Sequence, residues 1–167
     1  QVDLPVLEQL RDGWAVESAV MNALGFGKGS FANGRLWHYD DGGGNYAELV
    51  LLDGGRAVLY GHDHEYSETH FREAAAYFEE EETDLLAGAP PWWGEVLPQA
   101  EFQWIGFVYG YEDGAWARAA YEPDDGFASL ALPAASEERL IELVNEFVTS
   151  AAEDQGWNLW NDPANEK

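Results

Sequence analysis

The stretch NYAELVLLDGGRAVLYGHDHE, running from Asn45 to Glu65, decides the reading of the fold. It carries two strand candidates, 45–52 and 56–65, on either side of Asp53-Gly54-Gly55. Glycine accepts the positive φ of a tight reversal, so the segment reads as an antiparallel hairpin. Upstream, residues 35–40 read as a further strand and residues 25–34 (GFGKGSFANG) as a flexible glycine-rich loop. Before them, Asp3 is suited to cap a helix that carries Pro5 in its first turn. Val6, Leu10, Trp14, Met21 and Leu24 recur at helical spacing, with Gly13 expected to bend or split that helix.

Downstream, Ser67 or Thr69 opens a helix whose apolar stripe is Phe71, Ala74, Ala75 and Phe78, and which ends in Glu79-Glu80-Glu81-Glu82. Residues 83–101, with Pro90-Pro91-Trp92-Trp93-Gly94 and Pro98, read as a turn-rich connector. The second half repeats the order. Strands 102–111 and 115–121 flank Asp113-Gly114, a third strand covers 126–132, and Ser136 caps a helix reaching Asp154. The expectation is one α+β domain over 1–167: an N-terminal helix, then two strand–strand–strand–helix units, 35–82 and 102–154, forming antiparallel sheet. A duplication and a chance repetition of order account for this equally well.

The last helix has the plainest pattern. Leu140, Ile141, Leu143, Val144, Phe147, Val148 and Ala151 fill one arc, and Glu138, Glu142, Glu146 and Glu153 the opposite one. Each i,i+4 pair of glutamates costs roughly 0.2–0.5 kcal/mol in an isolated helix. Such a row fits solubility, high salt or a cationic partner.

Composition narrows the function classes. The chain has 167 residues, with 32 Asp+Glu against 8 Lys+Arg and a formal charge of −24. At 46% hydrophobic and 14% aromatic residues it can fold despite that charge, burying roughly 70% of its unfolded surface. No apolar run approaches the length of a membrane-spanning helix. The N-terminus, with Asp3 and Glu8, lacks the basic-then-apolar layout of a signal peptide, and Gln1 in place of Met fits a trimmed chain. The absence of cysteine removes disulfides, thiolate metal sites and a cysteine nucleophile, and favours the cytoplasm. The charge opposes direct binding to nucleic acid or anionic membranes, both of which require cations. Two Lys against six Arg, with abundant acids, also fits adaptation to high salt.

His62-Asp63-His64-Glu65, followed by Glu68 and His70, looks the most catalytic. On a strand, His62 and His64 would share a face and could ligate zinc, with Glu68 or His70 as third ligand. A solvated turn at the strand end is the competing reading. Gly25-Phe26-Gly27-Lys28-Gly29-Ser30 fails as a phosphate loop: the first-glycine position holds Asn22, the Ser/Thr position holds Gly29, and the segment follows a helix. Ser30, Ser67 and Ser136 lack a nucleophile elbow. Of the eight Trp, Trp104 and Trp116 read as core on strands flanking one hairpin. Trp157 reads as core cover, and Trp92-Trp93 as either cover or interface anchor.

In size, lack of cysteine, acidic strips (Glu79–Glu82; Glu138, Glu142, Glu146) and aromatic loops, the chain resembles the small acidic immunity proteins that bacteria make against their own secreted toxins. The resemblance is one of class and carries over no site residue. It implies a protein that works by covering a basic active site. The expectation is therefore a non-catalytic acidic protein that neutralises a basic protein partner, such as a nuclease-like toxin domain, or a DNA-mimic inhibitor. Its partner-binding residues would be Glu79, Glu80, Glu81, Glu82, Asp84, Trp92, Trp93, Glu138, Glu142 and Glu146, with no cofactor and no metal. The alternatives are a metal-dependent enzyme built on His62, His64, Glu68 and His70, and a halophile-adapted domain of unrelated function.

Overall fold

The computed structural model describes residues 2–25, 29–99 and 103–154. Six strands form one antiparallel meander in chain order: β1 (Ser30–Asn33), β2 (Leu36–Asp40), β3 (Tyr46–Leu51), β4 (Ala57–His62), β5 (Phe107–Glu112) and β6 (Ala115–Arg118). The helices are α1 (Leu7–Ala23), α2 (Glu73–Phe78), α3 (Pro91–Glu95), α4 (Phe127–Leu130) and α5 (Glu137–Asp154). The fold is α+β with antiparallel sheet, as the hairpins imply.

Side-chain alternation divides the sheet into two buried faces. Trp37, Tyr39, Ala47, Leu49, Leu59, Phe107 and Tyr109 point to one, where Leu7, Leu10 and Trp14 of α1 and Leu130, Leu132 and Ala134 cover them. Val58, Tyr60 and Val108 point to the other, beneath Phe71, Leu85, Trp93, Leu97 and Ile105. One sheet runs through both proposed repeat units: 35–82 holds three strands and then α2, as expected, whereas 102–154 holds only two strands, β5 and β6, and β1 lies outside both. The stretch expected as a connector, 83–101, instead supplies α3 and the buried residues Leu85, Trp93 and Leu97.

Several local expectations are corrected. α1 starts at Leu7 after Val6, without a side-chain cap, so Asp3 does not cap it and Pro5 precedes it. Gly13 does not split α1, which continues through it. It lets Ala134 approach, since a Cβ there would lie 2.6 Å from the Ala134 carbonyl oxygen. Within the expected loop 25–34, Ser30–Asn33 pairs with β2 as an edge strand, while residues 26–28 lie outside the described residues. Ser67 and Thr69 do not open a helix: their hydroxyls donate to the Asp125 and Gly106 carbonyls at 2.7 and 2.6 Å, and α2 begins at Glu73. The strand expected at 102–111 starts at Phe107, leaving Trp104 half-buried outside it against Tyr77 and Phe78. The apolar run 126–132 is not a strand but α4 followed by a 3-10 turn, Pro133–Ala135. α5 does follow Ser136, whose Oγ accepts the Arg139 amide at 3.3 Å. Its apolar arc is only partly covered, with Ile141 and Val148 about half exposed. Trp157 and Trp160 lie outside the described residues.

Glu17 of α1 is fully buried and ties three elements together. Its Oε1 accepts from Ser30 Oγ of β1 at 3.2 Å and its Oε2 from the Ala134 amide at 3.1 Å. Burial outweighs these hydrogen bonds and raises its pKa to about 8, so the carboxyl is held protonated at neutral pH.

Candidate functional site

The acidic run stands clear of the core because α2 ends before it. Glu79 adopts a left-handed conformation (φ 55°) and terminates the helix, and the Glu80 amide folds back onto the Ala75 carbonyl at 3.0 Å. Glu79, Glu80, Glu81, Glu82 and Asp84 are all exposed. Asp84 Oδ1 caps the Leu86 amide at 2.9 Å. Glu138, Glu142 and Glu146 are exposed on α5. The two strips do not share a face: α2 belongs to the side covering Tyr60 and Val108, whereas α5 packs on α1 across the sheet.

All six arginines are already engaged within the chain. Arg35, Arg56, Arg118 and Arg139 pair with Asp53, Glu112, Asp125 and Glu142. Arg11 and Arg72 lie over the rings of Trp37 and Phe71. Among the described residues, Glu79–Glu82, Asp84, Glu138 and Glu146 therefore meet no cation.

The chain passes from this run into the wall of a cavity of about 320 Å³ between the α3 segment and the β5–β6 hairpin. Its lining includes Ala89, Trp92, Trp93, Gly110, Asp113 and Ala117. Trp93 is buried at 5% exposure and Trp92 half-buried. Trp93 lies flat on β5 because position 110 is glycine: a Cβ there would overlap Trp93 Cε2 and Nε1. Trp93 Nε1 is buried without a hydrogen-bond partner among the described residues. Beside it, the Arg56 guanidinium sits 5.4 Å from the Trp92 ring centre and pairs with Glu112 at 2.6 Å. Asp113 is exposed at the hairpin turn, with no cation partner among the described residues.

No family model matches the chain, and no curated protein or solved structure does either. The reading therefore rests on the residues themselves.

The histidine cluster does not assemble. β4 ends at His62, so the alternation that would put His64 beside it is lost. His62 is half-buried, and burial depresses its pKa against the pull of the Asp63 charge. His64 is exposed and its Nδ1 lies 2.7 Å from Asn45 Oδ1. His70 packs on Phe78, and Glu68 faces solvent. The buried Asp63 accepts the Glu65 and Tyr66 amides, making the stretch a turn. No group of three or more metal-ligating side chains converges among the described residues. His64→Ala is expected to leave the zinc content of the purified protein unchanged by elemental analysis. A stoichiometric metal lost on that substitution would contradict this.

Two clusters had no sequence signal. His38, Glu48 and Tyr60 face one another across β2, β3 and β4. His38 Nδ1 lies 3.1 Å from Glu48 Oε1, and the Tyr60 hydroxyl donates to Glu48 Oε2. Burial raises the Glu48 pKa, but these two partners outweigh it and the net shift is downward. The second cluster gathers Tyr109, Arg118 and Tyr121 on the buried Asp125. Both depend on strand register or loop return, which composition does not encode.

Proposed function

We propose that this chain is a non-catalytic acidic binding protein that neutralises a basic protein partner, such as the toxin domain of an immunity pair. The carrying observation is that every arginine is engaged internally while Glu79–Glu82 and Asp84 face solvent, and that a tryptophan-lined cavity carries Glu112 and Asp113 in its wall. Surface carboxylates raise the encounter rate with a cationic partner, on the order of 10–1,000-fold at low salt. An aromatic wall with a charged rim then supplies the short-range hold. The strip on α5 contributes to the field from the other side of the sheet. The setting in which such a pair would work is the cytoplasm. Among the described residues no helix is long and apolar enough to cross a membrane.

Stopped-flow association with a panel of basic nuclease domains tests this. Replacing Glu79, Glu80, Glu81 and Glu82 together by Gln is expected to slow association roughly tenfold at low salt and hardly at high salt, with little change in dissociation. Absent or salt-indifferent association would overturn the reading. Loss of far-ultraviolet circular dichroism in dilute buffer would point instead to halophilic adaptation.

A further inference from the structure

We infer that the rings of Tyr77, Phe78 and Trp104, at the C-terminal end of α2, form the docking face for an arginine side chain of the basic partner, an inference that rests on the binding reading above. Tyr77 is 71% exposed and Phe78 50%, and Trp104 is half-buried beside them. Ring centres lie 4.9 Å apart for Tyr77 and Phe78, 5.3 Å for Tyr77 and Trp104, and 5.6 Å for Phe78 and Trp104. His70 packs on Phe78 from a further side at 5.7 Å. Contiguous aromatic surface left open to water marks an interaction site. The acidic run is held next to it. Glu79 follows Phe78 directly, the Thr83 amide donates to the His70 carbonyl at 2.8 Å, and the His70 amide donates to Thr83 Oγ1 at 3.3 Å. The loop of glutamates 79–82 therefore leaves and re-enters the fold beside these rings.

Aromatic faces beside carboxylates select a cation. Among the described residues no guanidinium lies over these three rings: Arg72, which precedes α2, lies over Phe71, and the other stacked arginines lie over Trp37, Trp92 and Tyr121. The fold itself shows the complete arrangement twice. Arg56 lies 5.4 Å from the Trp92 ring centre and pairs with Glu112 at 2.6 Å, and Arg118 lies 4.4 Å from the Tyr121 ring centre and pairs with Asp125 at 2.9 Å. At the end of α2 the rings and the carboxylates are present without the guanidinium. Arginine suits the face better than lysine. The rings pack on one another and leave no cage for an ammonium head, whereas a planar guanidinium stacks on a ring face. A second copy of this chain is a poor occupant, because its arginines are engaged and it would set another acidic run against this one. The same run repels an anionic membrane. Exposed ion pairs hold little, so the carboxylates draw the arginine in and the rings retain it.

The probe is acetyl-Arg-Gly-Arg-Gly-Arg-amide, compared with counterparts carrying lysine, citrulline or glutamate in place of arginine. The readout is the Trp104 indole N–H resonance, assigned through Trp104→Phe. The arginine peptide should shift that resonance saturably and bind several-fold tighter than the lysine peptide, and the citrulline and glutamate peptides should not bind. Replacing Tyr77 and Phe78 together by Ser is expected to weaken arginine binding roughly fivefold at low and high salt alike. Tyr77→Ser alone, at the more exposed position, serves if the double variant does not fold. Replacing Glu79, Glu80, Glu81 and Glu82 by Gln should weaken binding at low salt and hardly at high salt. An arginine peptide that binds the ring variant as tightly as wild type would reveal a diffuse attraction to the acidic surface and overturn the docking face. Equal binding of lysine and arginine, or an indole signal that the arginine peptide does not move, would overturn it as well. The two readings fail separately. If a basic protein dissociates from wild type and the ring variant at the same rate, the docking face is wrong and the binding reading stands. If the arginine peptide binds at the rings but no basic protein associates, the docking face stands and the binding reading is wrong.

Discussion

The protein is expected to lose stability as the pH rises from 4.5 to about 8, and Glu17→Gln to abolish that loss. The folded pKa of Glu17 is raised above its value in the unfolded chain, where the group is solvated. Between the two values the native state keeps a proton that the unfolded state has released. Unfolding therefore becomes easier with every pH unit, by about 1.4 kcal/mol. The stabilisation is complete below the lower value, and its loss levels off above the upper one. Across the window the total is of the order of several kcal/mol. Glutamine keeps both contacts without the charge: its carbonyl can accept the Ala134 amide, and its amide group can donate to Ser30 Oγ, reversing the direction of the bond that Ser30 makes to the carboxylate. His62, whose pKa is lowered, works with the opposite sign through the middle of this range, but it is common to both proteins and cancels in their difference. Urea melts of wild type and Glu17→Gln should agree near the acid end and separate by roughly 3–5 kcal/mol near the alkaline end, with the variant more stable. Parallel curves across the window would show that Glu17 does not carry a buried proton.

What the sequence made legible was local. Asp53-Gly54-Gly55 and Asp113-Gly114 turn the chain where expected, because φ > 0 at Gly54, Gly55 and Gly114 is written into the residue type. α5 could be read because a cap and eighteen residues of one period agree. The misreadings share one physical reason: a neighbour distant in sequence supplies the deciding energy. Ser30–Asn33 is a strand because β2 is there to pair with it and Glu17 anchors its first residue. Ser67 and Thr69 look like helix caps, yet their hydroxyls find the carbonyls of Asp125 and Gly106. The short apolar run at 126–132 suits a strand or a helical turn, and only the packing of Leu130 and Leu132 under α1 decides. The candidate site divides in the same way. Exposure of the glutamates could be anticipated from their number and clustering. The unlike fates of Trp92 and Trp93 could not, since Trp93 is buried only because Gly110, on another strand, leaves room for its indole.

Asp125→Asn is expected to destabilise the protein by about 3 kcal/mol, although the change is isosteric. Asp125 Oδ2 accepts three hydrogen bonds, from the hydroxyls of Tyr109 and Tyr121 at 2.6 and 2.7 Å and from Arg118 Nη1 at 2.9 Å. Its Oδ1 accepts the Phe127 amide at 3.1 Å, opening α4. An asparagine has one acceptor oxygen, and its amide hydrogens would face either the Phe127 amide or this crowd of donors. Arg118, about a third exposed, can turn towards water, so most of the cost falls on the hydroxyl of the buried Tyr109, with a smaller share on the half-buried Tyr121. Both tyrosines have pKa values raised first by burial and then by their bonds to Asp125, so both should remain un-ionised until the protein unfolds at alkaline pH. In Asp125→Asn the carboxylate contribution disappears, and tyrosinate absorbance should emerge at lower pH than in wild type. Asp124→Asn is the control. Its Oδ1 accepts only the Gly126 amide, at 2.8 Å from an exposed position, and an effect within about 0.5 kcal/mol is expected. Equal destabilisation by the two substitutions would show that the triple acceptor has no special weight. If the larger effect of Asp125→Asn is found, it should reach the cavity as well. Arg118 and Ala119 form part of its lining, and the Tyr121–Asp125 bond closes the loop that follows them.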